Sequence, residues 1–188
     1  MAVDTRTKIL NGAIQSFNKY GLKLTMDDVA EEISISKKTI YKEFTGKEEL
    51  FEVMVDYVFD GIKERENEIL SMEGIETIDR IRLLLSAMPG NLRNIKFQDM
   101  DALKDKYPKI YKKIQNRLET GWESAFELLE LGKKEGVIRE NADLMLFKTM
   151  MDASLEKLFE KNTIRRNKKT YNDILNEVVD VLLTGIAV

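Results

Sequence analysis

Residues 24–50 decide the fold: Leu24-Thr25-Met26-Asp27-Asp28-Val29-Ala30-Glu31-Glu32-Ile33-Ser34-Ile35-Ser36-Lys37-Lys38-Thr39-Ile40-Tyr41-Lys42-Glu43-Phe44-Thr45-Gly46-Lys47-Glu48-Glu49-Leu50. Three helix starts fall within this stretch. Thr25 and Asp28 form a Thr-x-x-Asp capping pattern for a short helix ending near Ile33. Ser34-Ile35-Ser36 is a turn, and Ser36 is placed to cap a helix over 37–44. Thr45 with Glu48, or Gly46 with Glu49, can satisfy the first free N–H groups of a third. That third helix runs to about Leu70, with Leu50, Phe51, Met54, Tyr57, Val58 and Ile62 on its apolar side. Two short helices joined by a three-residue turn are the layout of a helix-turn-helix. On the second of them Ile40 and Phe44 face inward beside Ile33 and Ile35, so Lys37, Lys38, Tyr41 and Lys42 face out. So short a helix is not stabilised by three exposed lysines. Either they present cations to something anionic, or they are a solvated face.

Outward from this stretch the period stays helical. Upstream, Ile9, Leu10, Ala13, Phe17 and Tyr20 recur at helical spacing and Gly21 is placed as a C-cap. Downstream, the spacing predicts helices over 75–88 (closed by Pro89-Gly90), 92–106, 109–135, 142–161 and 169–184. Tyr107-Pro108 and Gly136 mark boundaries. The fold class is all-α: about nine helices, a three-helix head over 1–47 and a helical body over 48–188.

Composition narrows the chemistry. The 188 residues include no histidine and no cysteine, which removes disulfides, thiol nucleophiles, Cys/His metal sites and Ser-His-Asp triads together. No metal or cofactor site is expected, and an enzymatic function is not. A carboxylate-bridged di-metal bundle would need Glu-x-x-His motifs, which cannot occur here. No apolar run reaches the roughly 20 residues of a membrane span, and no basic segment precedes an apolar run at the N-terminus, so no membrane partner and a cytoplasmic location are expected. The net charge of −3 argues at first against nucleic acid. Its distribution reverses that: residues 1–47 hold eight Lys/Arg against six Asp/Glu, a net +2, and the remainder 22 against 27, a net −5. The positive charges gather at the start of the first helix, on the helix over 37–44 and at Lys47.

The run Ile9-Leu10-x-x-Ala13-x-x-x-Phe17-x-x-x-Gly21-x-x-x-Thr25-x-x-x-Val29-Ala30, continuing Ser36-x-x-Thr39-Ile40-Tyr41-x-x-Phe44-x-x-Lys47-Glu48-x-Leu50, closely resembles the DNA-binding domain of tetracycline-repressor (TetR) family regulators. The resemblance covers about the first 50 residues. The rest shares the general helical layout and the pattern Gly136-Val137-Ile138-Arg139. It implies a ligand-responsive transcriptional regulator, a repressor, that binds a palindromic operator in double-stranded DNA as a homodimer. A helical adaptor that binds other proteins and no DNA is the alternative.

The resemblance also assigns residues. Lys37 and Lys38 would reach base edges, as lysine suits guanine O6/N7. Lys42 would serve a base or a phosphate. Thr25, Tyr41 and Lys47 would hold phosphates, fixing register. Ser36 and Thr39 complete the DNA-binding set, and Thr25 is equally explained by capping alone. Ser34 stands where the family has a turn glycine, which requires a left-handed backbone there. Lys38 replaces a typically small residue. Glu43 stands where many members have histidine, and either turns to an intramolecular cation or accepts from a cytosine amine.

For the body, the resemblance implies a small-molecule effector in a cavity beneath helix 48–70, with Gly46-Lys47 as the moving junction. Candidate lining residues are Met88, Phe97, Met100, Tyr107 and Tyr111, together with Trp122, Phe126, Met150 and Met151. Plain core is the other reading of these stripes. The last two helices have wide apolar faces. Burial within one subunit explains them, whereas the resemblance implies a four-helix dimer interface through Phe147, Met151, Leu155 and Leu158 of one helix. The other would contribute Tyr171, Ile174, Leu175, Val178 and Leu182.

Overall fold

A computed structural model describes residues 4–90, 92–93, 100–158 and 169–188, with backbone alone at Met100, Asp101 and Leu158. Phe97 and the side chains of Met100 and Leu158, all named above, therefore lie outside the described residues. The expected all-α class is what the structure shows.

The head begins with α1 (Thr5–Tyr20), capped by Asp4, whose side chain accepts from the Thr7 N–H at 3.0 Å. A single 3-10 turn over Gly21–Lys23 follows. Next come α2 (Met26–Glu32) and α3 (Lys37–Glu43), each capped as its sequence demands. The Thr25 and Asp28 side chains form a reciprocal capping box on α2, and Ser36 accepts from the Thr39 N–H at 3.1 Å on α3. Ser34 holds the turn between them at φ 54°, the left-handed conformation that the glycine-lacking turn required. Gly12 lets the end of α2 come close: a Cβ there would stand 2.4 Å from Ile33 Cγ2. Ile40 and Phe44 are fully buried, as their spacing predicts.

α4 (Lys47–Leu70) is the long element that runs out of the head and into the body. It packs against α1, α5 (Thr77–Leu85) and α7 (Pro108–Glu119). α6 (Met100–Lys106) meets α7 at the Tyr107-Pro108 corner. The helix expected over 109–135 is two helices, α7 and α8 (Glu123–Lys134). The break falls at Thr120-Gly121, where Gly121 takes φ 84°, a conformation that side-chain-bearing residues rarely adopt. The body is completed by α9 (Leu144–Leu158) and α10 (Tyr171–Ile186), packed against each other, with α10 also against α5. A single antiparallel bridge, Ile138 to Ala187, ties the turn after α8 to the C-terminus.

Candidate nucleic-acid interface

The outer side of α3 carries Ser36, Lys37, Lys38, Tyr41 and Lys42, all exposed, with Tyr41 at 48%. Backbone logic puts them there. Ile40 and Phe44 anchor one stripe of the two-turn helix in the core, so the remaining positions point to solvent. Thr39 is half-buried and its hydroxyl shares a hydrogen bond of 2.8 Å with that of Ser36. It therefore shapes the start of α3.

The cations of this face differ in what holds them. The Lys37 ammonium donates to the Asp27 carboxylate on α2 at 2.7 Å, and this bond raises its pKa. Lys38 and Lys42 form no ion pair among the described residues. Thr25 stands exposed at the start of α2, donating its hydroxyl to Asp28 at 2.7 Å. Lys47, expected at a phosphate, instead turns inward. Its ammonium donates to the Leu22 carbonyl at 2.7 Å and sits 5.4 Å from the Phe51 ring centre, and burial pushes its pKa down. Glu43 turns to an intramolecular cation: Arg6 donates to its backbone carbonyl at 2.8 Å and lies 3.9 Å from its carboxylate. Arg6 also covers the Phe44 ring at 4.4 Å. Sequence spacing gave no role to Arg6 or to the pairing of Asp27, because both are contacts between helices.

Three cavities among the described residues lie beneath α4. The first, about 80 Å³, is walled by apolar side chains and Tyr171, including Phe17 and Leu22 of the head and Phe51, Met54 and Val58 of α4. The second, about 140 Å³, takes Met88, Trp122 and Met151 from the expected set, together with Leu155, Tyr171 and Leu175 from the set expected at a dimer interface. The third, about 240 Å³, lies by Arg65 and Arg93. Tyr107 lines none of these three; it stacks edge-on against Phe51 at 5.5 Å, and Phe51 stacks likewise on Phe17 at 6.1 Å. Tyr111 accepts from Gln115 at 3.4 Å, and Phe126 packs on Trp122 at 6.2 Å. Met150 faces solvent, opposite to its neighbour Met151.

The dimer-interface expectation is redrawn by burial. Phe147, Met151, Leu155, Tyr171, Ile174 and Leu175 are buried inside the subunit, where α9 and α10 pack on each other and α10 packs on α5. Val178 and Leu182 are half-buried. Among the described residues the large apolar side chains left outside are Met145 (63% exposed), Leu146 (56%) and Met150 (47%) on α9, and Val181 (71%) on α10. Among the described residues no helix is long and apolar enough to cross a membrane, and no cluster of carboxylates could hold a metal ion.

Comparison with known proteins agrees with the helix-turn-helix. The sequence is 24% identical over 179 residues to the HTH-type transcriptional regulator YvaF of Bacillus subtilis, covering 95% of this chain and 94% of that one. It is 37% identical to the HTH-type regulator YhgD of the same organism over 71 residues, 37% of either chain. The fold is similar to that of a TetR-family regulator from Cytophaga hutchinsonii (TM-score 0.69, 19% identity, 100% and 99% of the two chains). It is also similar to FadR from Bacillus subtilis, solved in complex with stearoyl-CoA (TM-score 0.59, 20% identity, 96% and 98%). Residues 9–54, which span most of α1 through the start of α4, match the family model of bacterial regulatory proteins, tetR family. Over the helix-turn-helix the chain thus matches the tetR family of bacterial regulatory proteins, and over its whole length it shares the fold of a regulator of that family.

Proposed function

We propose that the chain is a dimeric, ligand-responsive repressor that grips a palindromic operator with one α3 from each subunit. The observation that carries this is the outer face of α3, where Lys37, Lys38, Tyr41 and Lys42 are exposed together on a helix anchored by Ile40 and Phe44. Lys37 and Lys38, at the start of α3, reach base edges; Tyr41, Lys42 and Thr25 hold phosphates. Two-fold symmetry sets the two α3 helices roughly 34–36 Å apart, in successive major grooves. The head, 1–47, reads DNA and the body, 48–188, binds the effector and the second subunit.

The apolar cavity supports the effector half of this reading. Phe17 and Leu22 of the head share its wall with α4, so an occupant touches both. FadR, solved with stearoyl-CoA, supports an apolar or amphipathic effector for this helical layout. Binding at the two places is then coupled by typically ~1–3 kcal/mol in each direction.

Selection of bound sequences from random DNA tests the function and yields the operator. The expected result is an inverted repeat whose affinity falls steeply with salt. Recovery of no preferred sequence, together with no complex at low salt, would overturn the reading in favour of a protein-binding adaptor.

A further inference from the structure

The three cavities lie in a row along α4, and the chemistry of their walls changes from one end to the other. Phe51 and Met54 bound the first, Phe59 and Ile62 bound the first and the second, and Arg65 and Ile69 bound the third. From Phe51 to Arg65 the helix rises about 21 Å at 1.5 Å per residue. Met88 lines all three cavities, so a single flexible side chain stands at their junctions. No charged side chain lines the first cavity. The second adds Glu66 and Arg117 to a mostly apolar wall, and the third is lined by Arg65, Arg93, Asn172, Asn176 and Ser86 and by no acid. Among the described residues Arg65 pairs only with Glu68, an exposed pair one turn along the same helix at 2.7 Å. Pairs of that kind contribute little and exchange readily.

A compact neutral ligand would use one part of this row and leave the arginines without a role. A linear molecule with an anionic end satisfies all of it. Resting on the reading of the chain as a ligand-responsive regulator, we propose that the effector is a long-chain amphiphile with an anionic head group. The head group pairs with Arg65 and Arg93, and the tail runs past Met88 along α4 toward Phe17 and Leu22. The polarity of the ligand follows from the polarity of the row. Chain length then has two thresholds. A short tail fills the space around Trp122 without touching the head, whereas a tail spanning the row presses on α1 and on the 3-10 turn that Lys47 holds. The body thus measures the tail, and only a long one alters DNA binding.

The test uses the full chain with four probes kept below self-association: octanoate, hexadecanoate, hexadecanoyl-coenzyme A and hexadecanol. Trp122, the single tryptophan, lines the second cavity and reports occupancy by its emission. A gel-shift titration on the selected operator reports release. Octanoate and hexadecanoate should both change the emission, and only the longer anions should weaken DNA binding, by tenfold or more. Hexadecanol should bind at least tenfold more weakly than the better of the two long anions. The Arg65→Gln/Arg93→Gln double variant should lose that preference while still binding the alcohol, which shows that it is folded. The ratio of hexadecanoate to its coenzyme A thioester tells a free carboxylate from an esterified head, and preference for either over the alcohol supports the proposal. Equal binding of alcohol and anions, or no response of Trp122 to any probe, would overturn it. Release of DNA by a compact neutral compound alone would overturn this proposal and leave the regulator intact. Amphiphile binding with no effect on DNA at any length would overturn the two thresholds and the ligand-responsive reading, and leave the head-group assignment standing.

Discussion

At the scale of single residues, the cations of the head divide by what already binds them. Lys37 is held by Asp27 at 2.7 Å, so under the proposed function DNA exchanges that partner for its own groups. Removing the competitor should help every sequence. Asp27→Asn is expected to tighten DNA binding about two- to fivefold at low salt, the scale of an exposed ion pair, with the gain fading as salt rises. An unchanged affinity would mean that the pair persists on DNA. Lys42 and Lys47 make the sharper contrast. Lys42 stands free on α3, whereas Lys47 is spent on the Leu22 carbonyl and the Phe51 ring. A lysine on a phosphate contributes nearly one to the salt slope of binding. Lys42→Met should therefore lower the slope by about one, and Lys47→Met should leave the slope alone while lowering the melting temperature. The opposite assignment of the two effects would restore Lys47 to the phosphate.

At the scale of elements, the short helices of the head depend on their ends. A seven-residue helix cannot sustain itself by propagation, so α2 and α3 rely on caps and on Ile40, Phe44 and Val29 in the core. Thr25→Ala should cost about 1 kcal/mol of stability, the usual effect of a lost N-cap. Thr25→Ser should restore it, and a denaturant titration of both separates capping from any phosphate contact. Asp28 completes the box, and its bonds to Thr25 hold its carboxyl below the usual range. A depressed folded pKa means that its stabilisation is present above the unfolded value and is lost as pH falls through the folded one. Asp28→Asn should accordingly flatten the acid side of the stability profile; an unaltered profile would dismiss the box. These caps were legible in sequence because they are local: Thr25 with Asp28, Ser36 before the lysines, Ser34 at the turn. The break at Gly121 was not, since Leu118, Trp122 and Ala125 continue the apolar period across it and periodicity alone does not see a positive φ. Likewise the charged face of α3 could be read from spacing, but the inward turn of Lys47 depends on a carbonyl 25 residues away.

At the scale of the whole molecule, α4 runs from the head into the body, and under the proposed function it is the element that would carry an effector's action to the DNA. On one side it shares the apolar cavity with Phe17 and Leu22; on another, Glu52 and Asp56 pair with Lys113 of α7 at 3.6 and 2.6 Å, and Asp60 pairs with Arg117. An occupant that parts α4 from α7 works against these partly exposed pairs and against the edge-on contact of Phe51 with Tyr107, while Phe17 on Phe51 keeps α1 in contact with α4. The sequence could not say which apolar residues of α9 and α10 serve the subunit and which serve a partner, because both faces are apolar. Burial separates them. Met145, Leu146 and Met150 lie outside on α9 and Val181 outside on the adjoining α10, an apolar surface of the kind a second copy covers. Charges placed there should leave the subunit fold alone and abolish pairing. The double variant Met145→Glu/Val181→Glu is expected to keep its helical content by circular dichroism and to sediment as a monomer where the parent sediments as a dimer. Without a rigid pair of heads, each α3 binds its half-site alone, so affinity for the palindrome should fall by on the order of 100-fold while affinity for an isolated half-site stays the same. A double variant that still sediments as a dimer would move the interface off this face; one that is monomeric yet binds the palindrome undiminished would separate dimerisation from operator reading.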